Sequence, residues 1–244
     1  MVSRTRRHAR RGPLTLAALG AAGLLGAGLV PAAQAADSSL VAAYDFNQGT
    51  GTVVPDDSGN GHAGTVSGAA WSASGKFGGA LAFNGTSSLV TVPSSAALSL
   101  TTGMTLEAWV KPATSTGWQT LLMRERPGGM SYGLYGFDNT GKPPAIYGHV
   151  SSDVEAKGKA ALALNVWTHV AGSYDGATLR IYVNGSQVGT TALTGSLTSS
   201  SSPLRIGGNS VWGEYFNGLI DEVRVYNRAL SAGEIATDLA TAIP

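Results

Sequence analysis

The sequence predicts an all-β fold, a two-sheet antiparallel jelly-roll β-sandwich with one short C-terminal helix. Three observations lead to this prediction. Short segments rich in β-branched and aromatic residues recur along the chain, Asn-Gly or Asp-Gly pairs separate several of them, and many alternate between apolar and polar residues. The pairs favour the positive φ angles of tight hairpins, and the alternation is typical of strands with one buried face.

The predicted strands follow one another from residue 40 to residue 226. They cover residues 40–46, 79–83, 89–92, 104–111, 131–137, 145–150, 166–174, 178–183, 186–191, 203–207 and 219–226. The segment 104–111 alternates, which predicts one core-facing side and one wetter side. Its apolar side consists of Met104, Leu106, Ala108 and Val110. Asp175-Gly176 and Asn184-Gly185 bracket the segment 178–183, which predicts an antiparallel meander.

One helix is predicted near the C-terminus. Ser231 stands three residues before Glu234, the spacing of a capping box, in which each side chain satisfies a free backbone N–H of the other residue. The segment EIATDLA, residues 234–240, continues this start. We therefore expect a short helix after the last strand.

The first 35 residues have the pattern of a secretory signal peptide. Five arginines lie within residues 4–11, an apolar run covers residues 14–30, and Ala33-Gln34-Ala35 matches the small-residue cleavage pattern. A membrane anchor is the alternative, but the run of 17 residues is short for one and ends at the cleavage pattern. We expect a bacterial, secreted, extracellular protein with a single domain, residues 36–244, and no membrane span after cleavage.

Composition narrows the function classes. Residues 1–35 hold five of the 16 Lys and Arg residues and none of the 15 acidic ones, so the remaining chain has a formal net charge of −4. Its basic residues are scattered, which speaks against nucleic acid as a partner. The chain has no cysteine, so disulfides and thiol catalysis are excluded and stability must come from a large core, with or without a bound ion.

Six segments occur in an order that resembles a known family. They are DDSGNGHAGT, GGALAFNGTSSLVTV, MTLEAWVKP, VWTHVAGSYDGATLRIYVNG, PLRIGG and FNGLIDEVRVYNRALSAGEI. Together they resemble the LamG-like jelly-roll domain (laminin G type 3) of the concanavalin A-like lectin/glucanase superfamily, from about residue 40 to residue 239. The resemblance implies two curved sheets, secretion, non-catalytic binding or adhesion, and often a calcium ion where the early loop meets the last strand.

A structural calcium ion is therefore expected as a cofactor. The resemblance assigns it oxygen ligands from the early loop and the last strand, and oxygen is the ligand that calcium prefers. The candidate ligands are Asp56, Asn60, Asp221, Asp57 and Asp45. The alternative is a tight turn whose Asp and Asn side chains bond to backbone amides. In both cases Asp221 ties the last strand to the early loop, and Glu222 is expected to be exposed or paired with Lys or Arg.

Aromatic residues indicate where a glycan would bind. Sugar rings stack on aromatic side chains while a few polar groups orient them. The candidates, on the concave sheet or in its loops, are Trp118, Tyr135, Tyr147, His149, Trp212 and Tyr215. The alternative is that most of these side chains pack in the core or at its rim.

No catalytic residues are assigned. Glycoside cleavage requires two carboxyl groups about 5 to 10 Å apart, and neighbours such as Asp221 and Glu222 point to opposite faces of a strand. A Tyr147–His149 lyase pair is conceivable. The predicted function is a secreted, non-catalytic carbohydrate-binding protein with an extracellular glycan as partner. The alternatives are an adhesion module that binds a cell-surface protein and a polysaccharide-cleaving enzyme.

Overall fold

The computed structural model describes residues 37–244. The predicted signal peptide, residues 1–35, lies outside the described residues. Within them the chain forms sixteen strands, a 3₁₀ turn at Ala96–Leu98 and one helix, α1 (Ala232–Ala240). The predicted β-sandwich with a short C-terminal helix is confirmed. Between residues 37 and 244, no helix is long and apolar enough to cross a bilayer.

The first sheet, sheet I, contains eight antiparallel strands. Its order is β14 (Ser186–Ala192), β13 (Thr178–Val183), β12 (Thr168–Tyr174), β7 (Met104–Pro112), β16 (Asn217–Tyr226), β5 (Ala80–Asn84) and β4 (Ala70–Ser72), and β1 (Leu40–Tyr44) also pairs with β16. The predicted meander is confirmed by the hairpins β12–β13 and β13–β14. Asn184 (φ 48°) and Gly185 (φ 76°) have the positive angles that the second hairpin requires.

The second sheet, sheet II, also has eight antiparallel strands. Its order is β11 (Asp153–Lys157), β10 (Ala145–His149), β9 (Gly129–Phe137), β8 (Gln119–Arg126), β15 (Leu204–Ile206), β6 (Leu89–Val92), β3 (Gly64–Ser67) and β2 (Val53–Val54). Sequence reasoning missed β2, β3, β4, β8 and β11. β8 is buried along nearly its whole length, so it lacks the alternation that marks a half-exposed strand.

The main core lies between the sheets. Leu106 and Val170 of sheet I and Leu134 and Ile146 of sheet II are fully buried in it. A Cβ atom at Gly172 would lie 2.6 Å from Ile146 Cδ1, so this glycine permits the close approach of β12 to sheet II. The four apolar residues predicted for β7 all belong to this core, as the alternation indicates.

The other face of β7 is buried too, which differs from the expectation of a wetter side. Thr105, Glu107 and Trp109 are at most 5% exposed. Helix α1 lies over this outer face of sheet I, where Ile235 packs with Tyr226 in a second apolar cluster. Because helix α1 covers this part of the sheet, the polar residues Thr105 and Glu107 are buried, although strand alternation predicts that they are exposed.

The capping box is confirmed. Ser231 Oγ accepts from the Glu234 backbone N–H at 3.3 Å, and Glu234 Oε2 accepts from the Ser231 N–H at 2.7 Å. Glu234 also forms a salt bridge with Arg228 at 2.9 Å. Arg228 in turn forms a salt bridge with Asp37 at 2.7 Å. The start of α1 is thereby joined to the beginning of the described chain.

Candidate functional site

A pocket of about 330 Å³ lies on the face of sheet II that points away from the main core. Strands β9 and β10, the residues that flank them and the loop between β15 and β16 surround it. The lining residues are Trp118, Met130, Tyr135, Tyr147, Asp153, Trp212 and Glu214. Four of the six aromatic or histidine residues considered from the sequence therefore meet at one place.

Three aromatic rings form the wall of the pocket. The rings of Tyr135 on β9 and Tyr147 on β10 lie 5.3 Å apart, centroid to centroid, at 70°. Trp118 lies 5.7 Å from Tyr135 and 6.4 Å from Tyr147. Edge-to-face contacts of this kind add to the packing energy of aromatic residues. The wall is therefore a fixed apolar surface.

The tryptophans and the tyrosines differ in exposure. Trp118 is 37% exposed and Trp212 is 44% exposed, whereas Tyr135 and Tyr147 are almost completely buried. Large exposed aromatic side chains at a concave site are typical of ligand contact. The two tryptophans therefore offer ring surface to a ligand, and the tyrosines support the pocket from within.

Both tyrosine hydroxyl groups donate to carboxylates. Tyr147 Oη donates to Asp138 Oδ1 at 2.6 Å, and the other oxygen of Asp138 pairs with Lys157 Nζ at 2.6 Å. Tyr135 Oη donates to Glu214 Oε2 at 2.9 Å. Burial raises the pKa of both tyrosines, so their protons remain in these hydrogen bonds.

The loop that carries Trp212 and Glu214 is held by the buried side chain of Asn209. Asn209 Nδ2 donates to Glu214 Oε2 at 2.9 Å and to Thr120 Oγ1 at 2.8 Å, and its Oδ1 accepts from the Trp212 N–H at 2.8 Å. Ser210 N donates to Glu125 Oε1 at 2.6 Å. The loop is thus preorganised, which reduces the ordering cost of binding.

Two of the sequence candidates lie outside the lining. His149 Nδ1 lies 2.6 Å from Asp153 Oδ1, and Arg126 Nη2 lies 3.2 Å from both ring nitrogens. Tyr215 packs against Gly208, where an added Cβ would lie 2.5 Å from its ring. Tyr215 alternates with Glu214 along an extended segment, so only one of these neighbours can face the pocket.

Sequence reasoning missed Met130, Asp153 and Glu214. Glu214 stands two residues after Trp212 in the same loop, which turns at Gly213 (φ 70°). This closeness to Trp212 was the signal present in the sequence. Met130 and Asp153 carry no such signal, because their place in the pocket depends on how β9 and β11 pair with β8 and β10.

Tyr147 and His149, the pair considered for a lyase, hydrogen-bond to different partners among residues 37–244. The Tyr147 hydroxyl bonds to Asp138, while the His149 ring bonds to Asp153 and Arg126. The two side chains are therefore engaged in separate networks.

The candidate calcium ligands in the early loop form hydrogen bonds with backbone groups. Asp56 Oδ1 accepts from Ala43 at 3.0 Å and Oδ2 from His62 at 2.9 Å. Asp57 Oδ2 accepts from the Asp45 N–H at 3.0 Å. Asn60 Nδ2 donates to the Leu40 carbonyl at 2.8 Å, and Asp45 accepts from Asn47 and Gln48. Such contacts are typical of a tight turn whose Asp and Asn side chains bond to the backbone, which is the alternative to a calcium site.

Asp221 ties the last strand to a different loop from the expected one. Its Oδ2 accepts from the N–H groups of Lys76 (2.8 Å) and Phe77 (3.0 Å), in the turn between β4 and β5, and Asp56 shares none of these partners. Across residues 37–244, no group of three or more His, Cys, Asp and Glu side chains is arranged to hold a metal ion. The calcium ion stays a prediction and has no part in the pocket chemistry.

The sequence predicts that Glu222 is exposed or paired with Lys or Arg. It is paired with an arginine and is fully buried. Its Oε2 lies 3.1 Å from Arg224 Nη2 and accepts from the Ile243 N–H at 2.7 Å. The register against β7 shifts between Asp221 and Arg224, and Glu222 has φ 52°. This β-bulge interrupts the simple alternation on which the expectation of exposure rested.

Among solved structures, the fold is similar to domain 4 of an extracellular arabinanase from Geobacillus stearothermophilus, in complex with arabinotriose. The identity is 25%, the TM-score is 0.68, and 83% of this chain and 98% of that chain are covered. It is also similar to the botulinum neurotoxin serotype G binding domain (14%, TM-score 0.64, 82% and 50% covered) and Trypanosoma rangeli sialidase (20%, TM-score 0.62, 82% and 32% covered). These last two likenesses concern the fold.

One curated relative is pappalysin-1 of Mus musculus, 32% identical over 80 residues. The match covers 31% of this chain and only 5% of the length of pappalysin-1. The family model Laminin_G_3, described as the concanavalin A-like lectin/glucanases superfamily, matches residues 84–236, more than half of the sequence. The chain therefore belongs to the laminin G type 3 family of the concanavalin A-like lectin/glucanases superfamily.

Proposed function

We propose that this chain is a secreted, non-catalytic carbohydrate-binding domain and that the pocket on sheet II binds the glycan. One observation carries the proposal: the exposed rings of Trp118 and Trp212 flank the same pocket as the carboxylates of Glu214 and Asp153. Apolar ring faces for the sugar and polar groups for its hydroxyls are the two elements of such a site. The arabinotriose bound to the similar arabinanase domain supports a sugar as ligand.

Secretion is part of the proposal and rests on the sequence. The arginines, the apolar run and the Ala33-Gln34-Ala35 pattern within residues 1–35 are those of an exported precursor. An extracellular location would place the pocket where polysaccharides of cell walls or capsules are accessible.

Affinity electrophoresis through gels that contain arabinan, galactan, xylan, β-glucan or no polysaccharide tests the binding. We expect the protein, produced without residues 1–35, to be retarded by at least one polysaccharide. Trp212→Ala should weaken that binding at least about tenfold, or ~1.4 kcal/mol, since it removes exposed ring surface. Trp118→Ala should act in the same direction.

Leu164→Ala is the matched control, because Leu164 is also a large exposed apolar side chain (42%) but does not line the pocket. It should leave retention unchanged. Retention by no polysaccharide, or equal loss in all three variants, would overturn the proposal.

The same samples separate the alternative functions. The release of new reducing ends from a polysaccharide, lost in Glu214→Gln, would indicate an enzyme. Capture of a cell-surface protein by a chain that binds no glycan would instead indicate an adhesion module.

A further inference from the structure

We propose that the pocket selects sugars without acidic groups, because the Glu214 and Asp153 carboxylates accept sugar hydroxyls and repel uronic, sialic or sulfated residues. This inference rests on the proposed function and adds the class of sugar to it. Among the residues that the structure describes, Glu214 and Asp153 are the charged ones in the lining of the pocket, and both are acidic.

Glu214 has one occupied and one available oxygen. Oε2 accepts from both Tyr135 Oη and Asn209 Nδ2, each at 2.9 Å, and these bonds fix the carboxylate. Within residues 37–244, no donor bonds to Oε1. Burial raises the pKa of Glu214, because the ionised carboxylate has lost solvent there. A sugar hydroxyl would supply the missing donor in a charge-assisted hydrogen bond, whereas a sugar carboxylate has no proton to donate.

Asp153 provides a second acceptor at the edge of the same pocket. Its Oδ1 is bonded to His149 Nδ1 at 2.6 Å, and its side chain is 38% exposed. No donor in the described part of the chain bonds to Oδ2. Two fixed carboxylates beside exposed tryptophans therefore present acceptors to hydroxyls on a stacked ring.

Two cations in contact with residues around the pocket, Arg126 and Lys157, are already engaged. Arg126 Nε donates to the Met130 carbonyl at 2.9 Å, and its Nη2 faces the His149 ring. Lys157 pairs with Asp138 at 2.6 Å and with Glu155 at 3.1 Å. The charges of these cations are therefore partly compensated, and a bound anion would also face Glu214 and Asp153. The negative charges of Glu214 and Asp153 would repel an acidic sugar in the pocket. Salt weakens this repulsion by screening it.

The test uses the polysaccharide that the wild-type protein retains most strongly among arabinan, galactan, xylan and β-glucan. One batch is carboxymethylated and another is hydroxyethylated to the same degree, so the two derivatives differ in charge but little in size. At 20 mM NaCl we expect at least tenfold weaker binding to the carboxymethyl derivative. At 500 mM NaCl the difference should fall below threefold, because the repulsion is screened.

The double variant Glu214→Gln, Asp153→Asn should lose most of the discrimination at low salt. Asp37→Asn is the control for a change in net charge, since Asp37 pairs with Arg228 beside sheet I, and it should discriminate as the wild type does. The salt series needs only wild-type protein, so it decides the matter even if the double variant does not fold.

Equal binding of both derivatives by the wild type, or discrimination that persists at 500 mM NaCl, would overturn the charge selectivity and leave the carbohydrate-binding proposal intact. Retention by none of the polysaccharides would overturn both.

Discussion

Asp221 is a buried carboxylate that organises three backbone amides. Oδ2 accepts from Lys76 and Phe77, and Oδ1 accepts from the Glu222 N–H at 2.8 Å. The first two donors lie about 145 residues away in sequence, so the side chain joins the turn between β4 and β5 to β16. Burial raises the pKa of Asp221 to about 6, while the three N–H groups oppose that rise. Its contribution to folding is structural.

Replacement of Asp221 tests this role. We expect Asp221→Ala to lower the free energy of unfolding by about 1 to 3 kcal/mol, because buried N–H groups would be left without acceptors. Urea denaturation at pH 7 measures the change. Asp221→Asn keeps one acceptor oxygen and should cost less. If the alanine variant unfolds at the same urea concentration as the wild type, Asp221 does not secure the turn.

At the scale of elements, α1 and the residues after it form a lid on the outer face of sheet I. Tyr226 Oη donates to Asp238 at 2.6 Å, Arg224 donates to the Thr241 carbonyl at 2.6 Å, and Ile243 donates to Glu222. Beneath this cover lie Glu107 and His169, which are both fully buried, with Glu107 Oε2 and His169 Nε2 3.5 Å apart. A polar pair that a strand pattern places on the surface is thereby removed from water.

Burial of this pair beneath α1 makes the stability of the fold depend on pH. Burial, with the charge of Arg224, lowers the pKa of His169 to about 4, while the Asp238 charge opposes it. A depressed histidine pKa means that the unfolded chain binds the proton more readily, so stability is present above about pH 6.5 and is lost as pH falls towards 4. Burial raises the pKa of neighbouring Glu107, which has the opposite effect: its contribution is lost as pH rises.

We expect His169→Gln to flatten the acid side of the stability profile, with a difference on the order of 2 kcal/mol between pH 7 and pH 4. Urea denaturation at intervals from pH 4 to pH 8 measures it. His62→Gln is the control, since the hydrogen bonds of His62 are made by its backbone. Parallel profiles for wild type and His169→Gln would contradict the assignment.

At the scale of the whole molecule, two eight-stranded sheets supply a large core in a chain without cysteine. Burial of that core is the main stabilising contribution, as expected for a chain of this length. The early loop is attached to the sandwich by Asp56 and Asp57, and burial, with the charges of Asp45 and Asp56, raises the pKa of Asp57. A cation beside these carboxylates would offset their repulsion.

The calcium prediction, with expected ligands from the early loop and the last strand, has a direct test. If the ion binds, the thermal midpoint should rise by several degrees in 5 mM calcium relative to EDTA, through preferential binding to the folded state. Asp56→Asn should reduce that rise, whereas Asp175→Asn, a change in a distant hairpin turn, should not. Coincident midpoints for the wild type in calcium and EDTA would contradict the prediction.

Local structure could be predicted from the sequence: the buried side of β7, the Asn184-Gly185 hairpin and the capping box at Ser231. These features depend on residues close together in the chain, whose spacing and backbone preferences are visible without the fold. The aromatic residues Tyr135, Tyr147 and Trp212 could also be identified from the sequence as candidates for the pocket.

Contacts between distant segments could not be predicted in this way and are known from the folded chain. The fold brings Trp118 and Asp153 to the loop that carries Trp212, directs Asp221 to the turn at Lys76 and encloses Glu107 beneath α1. The physical reason is that such contacts depend on strand order, a bulge in β16 and the docking of a helix. Each involves long-range packing, which local propensities and alternation do not specify.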